Sequence, residues 1–199
     1  DSISDTIVAK AFMEKPPLLW QSDLQHDVVL QTLLPDGKLF VVTDSGGCRS
    51  LNADDGSVAW AISDLGGMKS AKFVAIPNTK VGCLLEYKST SDYNRRRQIT
   101  RIHYYNSLVV IDYAAGNVLW KSDRFGYASV HGFFSLPSVD GLMLYGRDTG
   151  KTTWTVAARL RTGELLWRKD SLFGAQGAEL IKRNSESDRV LNGQTLTTQ

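Results

Sequence analysis

Histidine (3 residues), cysteine (2) and proline (5) are all scarce in this chain of 199 residues. Cys48 and Cys83 stand 35 residues apart, with no Cys-x-x-Cys pair and no metal-type spacing. They read as buried thiols in adjacent strands; a disulfide is the alternative if the chain is exported. Neither sign of charge dominates: 23 basic and 21 acidic residues leave a net +2, no basis for expecting nucleic acid or a strongly charged partner. No apolar run approaches the roughly 20 residues of a spanning helix, so no membrane span is expected. The start, Asp1-Ser2-Ile3-Ser4, shows no signal peptide. That fits a cytosolic chain or the mature form of an exported one. No segment keeps a 3.6-residue apolar period over three turns. Gly-x-Ser-x-Gly, His-Glu-x-x-His, Gly-x-Gly-x-x-Gly and EF-hand loops do not occur.

What the chain has is a repeat. Gly56-Ser-Val-Ala-Trp60, Gly116-Asn-Val-Leu-Trp120 and Gly163-Glu-Leu-Leu-Trp167 align directly, and Pro17-Leu-Leu-Trp20 keeps the end without the glycine. The tryptophans are spaced by 40, 60 and 47 residues. Each is followed closely by Asp23, Asp64, Asp123 or Asp170, and then by an apolar strand reaching a proline turn at Pro35, Pro77 or Pro137. Before each glycine lies an alternating strand and a polar turn, as in Leu108-Val-Val-Ile-Asp112 and Ala114-Ala-Gly116. The glycine supplies the positive φ of a tight hairpin, and the next strand carries Trp at a constant register. A large ring at one register per unit suits stacked, equivalent units.

Each unit therefore reads as four antiparallel strands, in the third unit near Ser129–Leu136, Gly141–Arg147, Thr152–Leu160 and Glu164–Lys169. Units of this length and strand number point to an all-β fold, a β-propeller of about four blades. The repeats run roughly 21–60, 61–120 and 121–167 within one domain. Partial blades are expected at 1–20 (strands Ile7–Phe12 and Leu18–Trp20) and 168–199 (near Ala178–Lys182 and Arg189–Leu196). If these pair, a four-blade ring closes. If not, the chain is part of a larger ring, and open blade edges permit self-association.

The unit ending in Thr162-Gly163-Glu-Leu-Leu-Trp167, preceded by Ala157, resembles the quinoprotein-type repeat, Ala-x-Asp-x-x-Thr-Gly-x-x-x-Trp. Asp112, Gly116 and Trp120 match it, and Asn52, Gly56 and Trp60 match it loosely. The family includes pyrroloquinoline-quinone dehydrogenases and proteins without cofactor, such as an envelope lipoprotein of outer-membrane assembly and the luminal sensors of unfolded-protein kinases. Members generally have six to eight blades, which implies a fragment or an atypical small ring. The alcohol-dehydrogenase type carries adjacent cysteines by its cofactor, and this chain has none. The resemblance therefore implies the non-enzymatic branch, with no catalytic residue, cofactor or metal assigned. Through the same resemblance an exported location is expected, in the periplasm, at the cell surface or in the secretory lumen.

Several smaller features read as structure. Tyr145-Gly-Arg-Asp-Thr-Gly-Lys-Thr152 misses a phosphate loop by one residue and sits between strands, so a hairpin turn is expected. Asn52-Ala-Asp-Asp-Gly56 is half a calcium loop without the distal Glu, hence a turn. His26 and His131 fall early in their blades, where they could reach a common rim, though ordinary strand ends are the plainer reading; His103 stands apart.

The second unit is longer, and its excess, Lys88–Ile102, is expected to interrupt two strands, Val81–Tyr87 and Ile102–Ile111. It holds Arg95, Arg96, Arg97 and Arg101, flanked by Tyr93 and Tyr104. Loops on rigid scaffolds often bind, and Arg with Tyr is favoured at hot spots. These six are the candidate partner-binding residues, against the alternative of a solvated hairpin. Trp20, Trp60, Trp120, Trp167, Gly56, Gly116 and Gly163 are the candidate structural repeat. The expected function is a non-catalytic scaffold binding a protein partner. The alternatives are a ligand- or carbohydrate-binding propeller using exposed aromatics such as Phe125 and Tyr127, and a fragment of a quinone-dependent dehydrogenase.

Overall fold

The computed structural model describes residues 20–171 except 95, 97, 127, 128 and 149–151. The expected terminal strands at 7–12, 18–19, 178–182 and 189–196 lie outside the described residues. Among the described residues, twelve strands form three consecutive four-stranded antiparallel sheets, each a simple meander. The first holds β1 (Val28–Leu33), β2 (Leu39–Thr43), β3 (Cys48–Leu51) and β4 (Val58–Ile62). The second holds β5 (Ser70–Ala75), β6 (Val81–Asn94), β7 (Ile99–Asp112) and β8 (Asn117–Lys121). The third holds β9 (Ser129–Leu136), β10 (Gly141–Arg147), β11 (Thr153–Arg159) and β12 (Leu165–Asp170). Among the described residues, helix is confined to two 3₁₀ turns, Ser122–Phe125 and Pro137–Val139. Repeated four-stranded meanders packed in sequence are the building unit of propellers.

The second sheet is buried on both faces, which explains its continuous apolar runs. Along β6 the odd positions Val81 and Cys83 join a core with Leu108, Val110, Trp120, Leu142, Leu144, Trp154 and Val156 of the second and third sheets. The even position Leu84 joins Phe40, Val42, Cys48, Val109, Ile111 and Tyr113 in a core between the first and second sheets. Strand side chains alternate between faces, so Leu108-Val-Val-Ile111 must be apolar throughout to serve both.

The repeat signature has one geometry in three places. The indole Nε1–H of Trp20 donates to the Ala53 carbonyl (2.7 Å), that of Trp60 to Tyr113 (2.8 Å) and that of Trp120 to Leu160 (2.8 Å). Each acceptor lies three residues before Gly56, Gly116 or Gly163, whose φ values are 71°, 72° and 65°. A Cβ on these glycines would fall 2.5, 2.3 and 2.6 Å from atoms of the docked indole. The glycine thus meets two needs, a left-handed turn and a flat seat for the preceding unit's ring. Trp167 of β12 is 41 % exposed.

Two expectations are corrected. Lys88–Ile102 does not interrupt its strands but continues them: β6 and β7 pair without a break from Val81–Asp112 to Asn94–Ile99. Alternating strand-compatible residues on both sides of a short polar turn let the ladder extend, where the charge run had suggested a loop. Cys48 and Cys83 are free, buried thiols in different sheets, β3 and β6, not in adjacent strands.

Candidate functional site

The β6–β7 pair leaves the second sheet as a two-stranded ribbon, because β5 pairs only as far as Tyr87 and β8 only as far as Val109. Cross-strand partners share a face. The register Tyr87–Asn106, Ser89–Tyr104, Ser91–Ile102 and Tyr93–Thr100 puts Tyr87, Tyr93, Ile102 and Tyr104 on one face. That face continues the odd-numbered surface of β6 which, farther back, packs against the third sheet. Beyond Asn106, whose N–H donates to Ser129 Oγ of β9, the same surface emerges into solvent. Tyr93 (56 %), Ile102 (56 %) and Tyr104 (52 %) are accordingly exposed.

The rings are ordered by each other. Tyr87 and Tyr104, diagonal neighbours in the register, stack with centroids 5.6 Å apart and planes 5° from parallel. Lys69 Nζ lies 5.0 Å from the Tyr104 centroid, a cation over an aromatic face. Tyr87, Tyr104, Tyr105, Asn106, Ser129 and His131 line an open groove of about 250 Å³ where the ribbon meets β9.

The opposite face is anchored at its root. Glu86, one step before Tyr87, has a fully buried side chain; Lys88 Nζ lies 2.7 Å from its Oε2. Ser107 Oγ donates to the same oxygen at 2.7 Å. Lys88 also donates to the Leu65 carbonyl in the link between the first and second sheets. Burial first, and the Glu86 charge second, push the Cys48 thiol up to about 12, so it stays a neutral core group.

The expected binding residues thus separate. Tyr93 and Tyr104 share the exposed face. Arg96 lies in the turn between β6 and β7, and Arg101 stands opposite Asp92 in the register. Arg95 and Arg97 lie outside the described residues. Tyr87, Ile102, Lys69 and the Glu86–Lys88 pair were not singled out from sequence. A period-two reading across the whole hairpin would have collected Tyr87 and Ile102.

The histidines have separate surroundings. His26 Nδ1 lies 3.9 Å from Asp44, His131 lines the groove, and His103 stands opposite Thr90 on the ribbon. Phe125 is not a free stacking surface: it packs edge-on against Trp120 at 5.9 Å and 72°. Tyr127 lies outside the described residues. In the Asn52–Gly56 turn, Asp55 accepts from the N–H and hydroxyl of Ser57, an ordinary side-chain-capped turn. At the loop-like segment after Tyr145, the Asp148 N–H and the Thr152 carbonyl pair at 3.0 Å across a β10–β11 hairpin.

No family model matches the chain, and no curated protein matches it. Solved structures do. The quinohemoprotein alcohol dehydrogenase ADHIIG of Pseudomonas putida HK5 aligns at 12 % identity and a TM-score of 0.43, over 72 % of this chain and 30 % of the enzyme. BamB of Moraxella catarrhalis aligns at 16 % identity and a TM-score of 0.28, over 77 % of this chain and 55 % of that protein. The chain spans about a third and about half of these two proteins.

Proposed function

We propose that this chain is a non-catalytic, propeller-type scaffold that binds another protein through the β6–β7 ribbon. The observation that supports this most is the exposed Tyr93, Ile102 and Tyr104 face. It is the prolongation of a surface that is core wherever the third sheet covers it. Aromatic side chains offer large contact area with few rotors, and with Arg they dominate interface hot spots. The quinoprotein-type repeat, common to enzymes and assembly proteins, favours an exported location.

The test is site-specific photocrosslinking from position 93 in extracts of the source organism. One discrete adduct is expected, lost when Ile102→Ser and Tyr104→Ser are added to the position-93 probe while the unfolding midpoint holds. An adduct pattern unchanged by that variant would remove the ribbon face from the account.

The groove at the ribbon's root supports a second reading. Stacked Tyr87 and Tyr104 beside the polar Asn106, Ser129 and His131 suit a small hydroxylated ligand such as a sugar. Saturation-transfer NMR with simple sugars separates this reading from the first.

A further inference from the structure

The ribbon carries a second unfilled capacity, in its backbone. In an antiparallel pair, a residue's N–H and C=O both point either into the ladder or out of it, alternating along the strand. The phase is fixed by three bonds. Lys69 N–H donates to the Tyr87 carbonyl, Asn106 N–H to Ser129 Oγ and Leu108 N–H to Ser122 Oγ, all away from the β6–β7 ladder. Tyr87 and Asn106 are register partners, so the outward set continues as Ser89, Ser91 and Tyr93 on β6 and as Tyr104, Ile102 and Thr100 on β7. No described residue takes the backbone groups of Thr100, Ile102 or Tyr104.

Proteins usually blunt such an edge with charge, proline or a bulge. Here the β7 edge joins donors and acceptors that no described residue takes to Ile102 and Tyr104, residues that favour strand packing. The β6 edge offers two serines in the corresponding places and is the poorer acceptor. Charge selects the occupant. Residues 86–104, which include the Glu86–Lys88 pair, hold five basic side chains (Lys88, Arg95, Arg96, Arg97, Arg101) and two acids (Glu86, Asp92). That is +3 in a chain whose total is +2, so the remainder is net negative. Two such ribbons repel one another, which disfavours pairing with a second copy through this edge.

We infer that the β7 edge at Thr100–Tyr104 accepts an added β-strand from an extended partner segment. That segment alternates apolar residues, set against Ile102 and Tyr104, with acidic residues that answer the ribbon's positive charge. The inference rests on the protein-binding reading and specifies the partner's chemistry.

The probe is a labelled, end-capped peptide, Glu-Val-Asp-Ile-Glu-Val-Asp-Ile, with its Lys-for-acid counterpart as control. Fluorescence anisotropy on the whole chain should show salt-dependent binding of the acidic peptide and at least about tenfold weaker binding of the basic one. Hydrogen exchange should slow at the amides of residues 100, 102 and 104. Ile102→Pro removes an outward N–H and spares the ladder, so the fold should persist while the affinity falls about tenfold or more. Ser91→Pro makes the same change on the other edge and should leave binding intact. Equal binding of the two peptides, no binding of either, unchanged exchange at 100–104, wild-type affinity in Ile102→Pro, or ribbon-dependent dimers would each overturn strand addition. If these peptides fail while the position-93 adduct still depends on Ile102 and Tyr104, face binding stands and strand addition does not.

Discussion

Replacing Gly116 by Ala tests whether one residue type serves both turn and docking seat. Gly116 has φ +72°, and its added Cβ would lie 2.3 Å from Trp60 Cγ. Gly37 is the control: φ is +83°, but nothing lies within 4 Å of its added Cβ. Left-handed backbone costs a non-glycine residue about 1–2 kcal/mol, and both variants bear that cost. Only Gly116→Ala also lifts the Trp60 ring from its seat. That loses the 2.8 Å bond to the Tyr113 carbonyl, worth about 1 kcal/mol net. It also disturbs contact with Phe40, whose ring centroid is 5.8 Å away, for about another 1 kcal/mol. Gly37→Ala should therefore lower stability by about 1–2 kcal/mol and Gly116→Ala by about 3–4 kcal/mol. Equilibrium urea unfolding, followed by tryptophan fluorescence, measures both. Trp60→Phe, which keeps a ring and loses the N–H, should fall between wild type and Gly116→Ala. Equal losses in the two glycine variants would refute docking as an energetic role of the turn.

Lys88→Met leaves the fully buried Glu86 carboxylate without its cation and should cost about 3–5 kcal/mol. The double variant Glu86→Leu/Lys88→Met should recover most of this in the same unfolding assay; a mild single variant with no recovery would contradict the pairing. Asp112 links the second sheet to the third through Arg161 at 3.2 Å. Burial opposes its ionisation, but N–H donation from Ala115, the Arg161 contact and N–H donation from Ala114 together hold its carboxyl below the usual range. A depressed carboxyl stabilises the fold above the unfolded value, about pH 4, and that contribution fades as pH falls towards the folded value. Acid titration of stability should show Asp112→Asn closing its gap to wild type below about pH 4; a gap constant down to pH 2 would exclude this linkage.

The strands of the third unit were legible almost residue by residue, because Gly-x-x-x-Trp and the proline turns punctuate them from both ends. The ribbon was not. A run of arginines among serines reads locally as loop, and only pairing with the opposite strand turns Lys88–Asn94 and Ile99–Ile102 into ladder. The cysteines show the same limit, since sequence distance carries no information on which sheet each strand joins.

By itself the amino-acid order determined the unit: four strands, a glycine turn and one indole at a constant register. Those are local consequences of φ preference and side-chain alternation. The tertiary structure decided what the unit's parts face. It seats the indoles of Trp20, Trp60 and Trp120 on the next unit's glycine, buries Glu86 against Lys88, and carries one face of the second sheet past the edge of the third. That last step makes Tyr93, Ile102 and Tyr104 a surface rather than a core. Whether an apolar strand face is covered depends on where the neighbouring sheet ends, a long-range property that no local pattern encodes.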